Sequence, residues 1–206
     1  MVDSNTLALL HFDSGVLTDV AGKYTWATRG TPTLNTSNKK FGAASLDAHN
    51  GNIVVNGGGE SINFPSGAAF TMEAWVYLTA FPSTVDCGAL FSKWSHGSHT
   101  NFMLNIENTG KLVLRYSSST YIGGESTEKV PLNKWVHIAL ARDTTGPARA
   151  FINGKTAFLY SKGDFNGDCP FAIGGSGDGI LAHAPYLIDE VACPPTIRLF
   201  KRKEAL

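Results

Sequence analysis

The sequence predicts an all-β protein, folded as a two-sheet antiparallel β-sandwich, and three observations carry that reading. In "FTMEAWVYL", Phe70–Leu78, the residues Met72, Ala74, Val76 and Leu78 share one face while Glu73, Trp75 and Tyr77 share the other, the period-two pattern of a half-buried strand. "KWVHIALAR", Lys134–Arg142, repeats the pattern, with Val136, Ile138 and Leu140 opposing Trp135, His137 and Ala139. In "RAFINGKTAF", Arg149–Phe158, the pair Asn153-Gly154 joins two extended runs and supplies the positive φ angles of a two-residue type I′ hairpin.

The remaining elements follow in order, each a short run of β-branched, aromatic and aliphatic residues between turn formers. Leu7–Phe12, Ala43–Leu46 and Asn52–Val55 precede the Phe70 strand. Ala89–Lys93 and Phe102–Ile106 come next, and "ENTGK" closes a second hairpin between Phe102–Ile106 and Lys111–Tyr116. After the Lys134 strand come Arg149–Ile152 and Thr156–Tyr160, then Phe171–Ile173 and Tyr186–Ala192. Pro194-Pro195 ends the last of these, because proline donates nothing to a ladder. Glycine, 22 of 206 residues, gathers in loops such as "NGGGES" and "GGSGDG", where the chain crosses the sandwich ends. No long helix, linker or repeat is visible. Residues 1–197 read as a single domain and 198–206 as a basic tail, within the size that one sandwich core supports.

Seventeen basic and seventeen acidic residues cancel, so nothing global draws the chain to nucleic acid or to an anionic membrane. The start, "MVDSNTLALLHFDSG", has no basic n-region, and its apolar run is too short for a signal peptide. Cys87, Cys169 and Cys193 fit neither a disulfide framework nor a C-x-x-C metal site, so buried free thiols and folding in a reducing cytosol are expected.

The order of nine short motifs resembles the concanavalin A-like lectin/glucanase superfamily in its laminin-G-like jelly-roll branch. They are "LLHFD" (Leu9–Asp13), "KFGAASLD" (Lys40–Asp47), "FTMEAWVY" (Phe70–Tyr77), "LFSKW" (Leu90–Trp94), "GKLVL" (Gly110–Leu114), "LNKWVHIALARD" (Leu132–Asp143), "AFINGK" (Ala150–Lys155), "AIGG" (Ala172–Gly175) and "LIDEV" (Leu187–Val191). The resemblance implies a jelly roll and a structural Ca²⁺ held by Asp13 and Asp189 with loop carbonyls, a donor set that suits a hard cation. The alternative is that Asp189 hydrogen-bonds a neighbouring turn. The branch recurs in bacteriophage structural proteins, adhesins and enzyme-appended modules, so fold does not fix function.

Catalytic templates are missing. No strand alternates carboxylates as a retaining glycosidase requires, and Asp189 and Glu190, being adjacent, are expected on opposite faces. Nucleophile-elbow and phosphate-loop patterns are absent too, and no enzyme is expected. His96 and His99 lack a third ligand for zinc. Sugar recognition needs an aromatic platform with planar polar groups around it, for which Trp94, His96, His99 and Asn101, joined by Tyr116 and Tyr121, are the candidates. The plainer reading has Trp94 closing one end of the core.

Two functions remain open. One is a virion structural protein, a capsid decoration or a head or tail fibre assembled in the host cytoplasm. It would dock on a capsid or tail protein through Arg198, Leu199, Phe200, Lys201, Arg202 and Lys203, as a monomer or homo-oligomer. The other is a glycan-binding adhesion module.

Overall fold

The computed structural model describes residues 6–56, 62–84, 88–95, 101–116, 122–161, 165–179, 183–194 and 196. Its strands, in chain order, are β1 (Ala8–Leu10), β2 (Trp26–Gly30), β3 (Thr33–Asn35), β4 (Ser45–Asp47), β5 (Gly51–Val55), β6 (Phe70–Tyr77), β7 (Ala89–Lys93), β8 (Phe102–Ile106), β9 (Lys111–Tyr116), β10 (Ile122–Lys129), β11 (Trp135–Arg142), β12 (Ala148–Ile152), β13 (Lys155–Tyr160), β14 (Ala172–Ile173) and β15 (Leu187–Cys193). The larger sheet runs β13-β12-β11-β6-β15-β4-β3, with β1 also paired to β15, and the smaller runs β10-β9-β8-β7-β14-β5-β2. Every pairing is antiparallel. No helix occurs among the described residues.

The alternation read from sequence decides which faces meet. Met72, Ala74 and Val76 of β6 lie beside Leu140, Ile138 and Val136 of β11 in register, and all are fully buried in the core between the sheets. Trp75 and Tyr77, in register with His137 and Trp135, take the outer face. At one end of the core Phe165 packs edge-on against Phe70 and Phe102, at centroid distances of 5.0 and 5.2 Å. Each such buried ring contributes roughly 2–3 kcal/mol of transfer free energy.

All twelve expected strands are present within two residues of their expected ends. The Asn153-Gly154 hairpin joins β12 to β13 at one edge of the larger sheet, with φ of 50° and 76° as a type I′ turn requires. Cys169 and Cys193 are buried free thiols, as expected, whereas Cys87 lies outside the described residues. β2, β3 and β10 were not announced by the sequence. β10, "IGGESTEK", has no apolar alternation because it is an edge strand that closes the sandwich against β13 of the other sheet. A Cβ on Gly123 would meet the Tyr160 ring at 2.8 Å, and one on Gly124 would overlap the Phe158 ring, so two glycines let the sheets approach.

One local expectation is overturned. In β15 the register shifts between Asp189 and Ala192, and Glu190 takes φ 53°. This bulge inserts one extra residue, so Asp189 and Glu190 do not alternate across the sheet. Asp189 stands beside outward Trp75, and the Glu190 carboxylate reaches His11 Nδ1 at 2.9 Å.

Candidate functional site

Asp13 and Asp189, the two carboxylates expected to hold calcium, converge on one turn. The Asp189 carboxylate, fully buried, accepts N–H groups of Lys40 (2.8 Å) and Phe41 (3.1 Å) on Oδ2 and of Glu190 (2.8 Å) on Oδ1. Asp13 accepts the Ala43 N–H and lies against Gly42, whose φ of 58° leaves room for it only because that residue has no Cβ. Burial raises the Asp189 carboxyl above its usual range, and the N–H groups of Phe41, Lys40 and Glu190 pull it back. Three backbone N–H donors on one carboxylate are the arrangement that the hydrogen-bonding alternative expects, while a calcium shell would draw its six to eight oxygens from both carboxylates and loop carbonyls. Among the described residues no three His, Cys, Asp or Glu gather as a metal site.

The same turn clasps the aromatic face of the larger sheet. Lys40 Nζ sits 4.1 Å from the Trp75 ring centroid, with Phe41 edge-on at 6.2 Å. Trp135 Nε1 donates to Asn38 Oδ1 at 3.1 Å, and His137 Nε2 lies 3.2 Å from Glu73 Oε2. The side chains that would make a stacking platform here are already engaged in fastening a loop to the sheet.

Of the residues expected to bind sugar, Tyr116 packs with Tyr160 and Phe165 at the core end, at 5.1 and 6.3 Å. Asn101 immediately precedes β8, its N–H donated to Lys93 O. His96, His99 and Tyr121 lie outside the described residues, as do Arg198, Leu199, Phe200, Lys201, Arg202 and Lys203. Trp94 departs from the plainer expectation. It does not join the main core but forms a separate buried cluster with Ala89 and Met103.

That cluster marks the outer face of the smaller sheet. Phe102, Leu104 and Ile106 of β8 point into the core, so Met103 and Asn105 point out, and Glu107 follows them on the same side. On β9, Lys111, Val113 and Arg115 alternate with core residues Leu112 and Leu114. Arg115 stands opposite Met103, yet its Nε donates to Glu107 Oε1 at 2.7 Å, so the pair runs across the row formed by Val113 and Asn105. Both partners are nearly buried, at 8% and 5% side-chain exposure. Lys111 and Glu125 pair at the margin. The face therefore groups, largely under cover, an apolar cluster, an amide and a self-neutralised guanidinium–carboxylate pair. The apolar members Ala89 and Met103 give no periodic signal of their own, which is why sequence reasoning found only Trp94.

At the neighbouring sandwich end, Lys93 is fully buried, and its ammonium donates to Ile62 O at 3.1 Å and Asn63 Oδ1 at 2.6 Å. Burial lowers its pKa from 10.5 to about 8 against the raising influence of Cys169 and Asp168. A cavity of about 260 Å³ opens at a sandwich end, between Ser66, Arg142, Asp143, Thr145 and Tyr160. Arg142 there donates to the carbonyls of Ala68 and Pro65, and Asp143 accepts the N–H groups of Thr145 and Gly146, so these groups hold the loops themselves.

Residues 50–193 match a laminin-G family model of the concanavalin A-like lectin/glucanases superfamily. No curated protein matches the sequence. Among solved structures, domain 4 of a GH43 extracellular arabinanase from Geobacillus stearothermophilus, in complex with arabinotriose, is similar with a TM-score of 0.71 at 21% identity, over 93% of each chain. The binding domain of Paraclostridial Mosquitocidal Protein 1 is similar at 0.68 and 15%, over 94% of this chain and 49% of that one. The receptor binding domain of botulinum neurotoxin D is similar at 0.66 and 12%, over 95% and 50%. The chain thus spans about half the length of these two toxin structures. Such identities speak for the fold alone.

Proposed function

Because the chain belongs to the concanavalin A-like lectin/glucanases superfamily, we propose that it is a glycan-binding module, with the outer face of the smaller sheet as its binding surface. The observation that carries this reading is the placement of Trp94 with Ala89 and Met103 in a buried cluster apart from the main core, beside outward Asn105 and the Arg115–Glu107 pair. Sugars bind through an apolar face and hydrogen-bonding edges, and this patch offers both kinds of surface in one place. Solved neighbours support the same direction, since one is an arabinanase domain in complex with arabinotriose and another is a neurotoxin whose cell entry depends on two ganglioside molecules.

Binding rather than catalysis suits the described strands. None carries carboxylates at alternate outward positions, the arrangement that sets an acid and a nucleophile ~5–5.5 Å apart. The other expectation, a virion decoration or fibre protein, would use the jelly roll as a building block, and the ligands named with its solved neighbours favour glycan binding instead. A glycan array of the purified protein, with Trp94→Leu in parallel, tests the reading. Saturable binding that Trp94→Leu weakens is the expected result, and a blank array with folded protein overturns it.

A further inference from the structure

Asn105 is the residue on this face with no account in the fold. It is fully buried, and neither its amide oxygen nor its amide nitrogen has a hydrogen-bond partner. A buried amide loses both of its water contacts, and native proteins rarely leave one so. Its row holds Ala89 on β7 and Val113 on β9, neither of which carries a polar side-chain atom to pair with the amide. Met103 precedes it on the same face and Glu107 follows.

A second unpartnered nitrogen belongs to the segment that Gly88 ties to this strand. His183 Nδ1 is buried without a partner. The His183 carbonyl accepts the Gly88 N–H at 3.3 Å, and the Gly88 carbonyl accepts the Ile106 N–H at 2.9 Å, so one backbone chain ties His183 to the residue that follows Asn105. Tyr186 Oη donates to the same Gly88 carbonyl at 2.8 Å. The approach is close enough that a Cβ on Gly88 would overlap the Ile106 carbonyl. The His183 loop is thereby held by main-chain bonds while its ring nitrogen is left unused.

We propose that Asn105 is the hydrogen-bonding floor of a neutral-sugar subsite, with Trp94 and Met103 as its apolar wall and Arg115 as the side chain that turns aside to admit the sugar. This rests on the glycan-binding reading and names its contacts. An amide presents one donor and one acceptor in a plane, which matches two adjacent sugar hydroxyls, each able to give and to take a hydrogen bond. Arg115 and Glu107 cancel each other's charge, so the wall has no net attraction for a carboxylated or phosphorylated sugar. Arg115 and Glu107 pair across the row of Asn105, so the guanidinium is the group on this face that the subsite requires to move.

The test titrates arabinotriose, xylotriose and cellotriose into the wild-type protein and into Asn105→Ala and Asn105→Leu, by calorimetry and by the side-chain amide NMR signals, with melting curves of all three proteins. The expected result is that one trisaccharide binds wild type and shifts the Asn105 amide pair. Both variants then bind at least tenfold more weakly, and Asn105→Leu melts at or above the wild-type temperature because an unpaired amide has been removed. Wild-type binding with an unmoved Asn105 amide, or with equal affinity in Asn105→Ala, overturns the subsite and leaves the glycan reading standing. A lower melting temperature in both variants with unchanged affinity assigns Asn105 to the fold and also overturns it. If no trisaccharide binds wild type and the array is blank, both proposals fail together.

Discussion

Lys93 gives this protein a pH dependence whose sign can be worked out in advance. Its ammonium is buried at the sandwich end, and desolvation brings its pKa from 10.5 to about 8. In the unfolded chain the amine keeps its proton up to about 10.5, so between pH 8 and 10.5 the unfolded state binds more protons than the folded one. Stability therefore rises with pH across that window. Over the whole window the contribution amounts to about 3 kcal/mol, at about 1.4 kcal/mol per pH unit, and between pH 7 and 9 to about 1 kcal/mol. Cys169, Cys193 and Tyr186 are each pushed up by burial and act in the opposite direction from about pH 9, since the unfolded groups ionise first. A variant that keeps those groups isolates the lysine. Lys93→Met removes the titrating amine and preserves an unbranched stem of similar bulk. Urea unfolding of both proteins at pH 7, 8 and 9 should show the wild type gaining about 1 kcal/mol relative to Lys93→Met, or about 2–4 °C in melting temperature for a domain of this size. Parallel curves across pH 7–9 would refute the reasoning, because they would mean that the ammonium is solvated in the folded protein.

Two further perturbations probe the fold around the site. Asp189→Asn replaces an acceptor of three backbone N–H groups by an amide that must turn a donor toward at least one of them. We expect a loss of about 1–3 kcal/mol, read by chemical denaturation. In the same wild-type protein a chelator should leave the melting temperature unchanged, whereas a fall of several degrees would establish a structural ion there, since a ligand of the folded state alone raises its stability. Gly124→Ala drives a methyl group into the Phe158 ring of the opposite sheet, and overpacking of that kind costs roughly 1–3 kcal/mol. An unaltered melting temperature for that variant would show that β10 does not close against β13 as described.

The sandwich was legible wherever a strand is half-buried, because burial on one face writes itself into every second residue. β6 and β11 are readable for that reason, and so is the β12–β13 hairpin, whose turn demands positive φ at Asn153 and Gly154. β10 was illegible because its glycines answer to Tyr160 and Phe158 on another strand, a tertiary demand that leaves no local period. The bulge at Glu190 escaped for a related reason, since alternation presumes an unbroken ladder and nothing in "LIDEV" marks the extra residue.

The outer face of the smaller sheet shows the deeper limit. Trp94 could be singled out as an aromatic in a loop, but whether it belongs to the core depends on which side of β7 it leaves, and that is fixed by the register with β8. Asn105 sits in "FMLNIENTG", where it reads as an ordinary polar residue on the solvent side of a strand. Only the packed structure reveals that this side is covered and that the amide has no partner. The Asp13 and Asp189 pair runs the other way. There the sequence suggested a ligand site, and packing supplied backbone donors from the Lys40–Ala43 turn for both carboxylates. Hydrogen-bond satisfaction separates the two cases, since backbone donors meet both carboxylates and none meets the Asn105 amide.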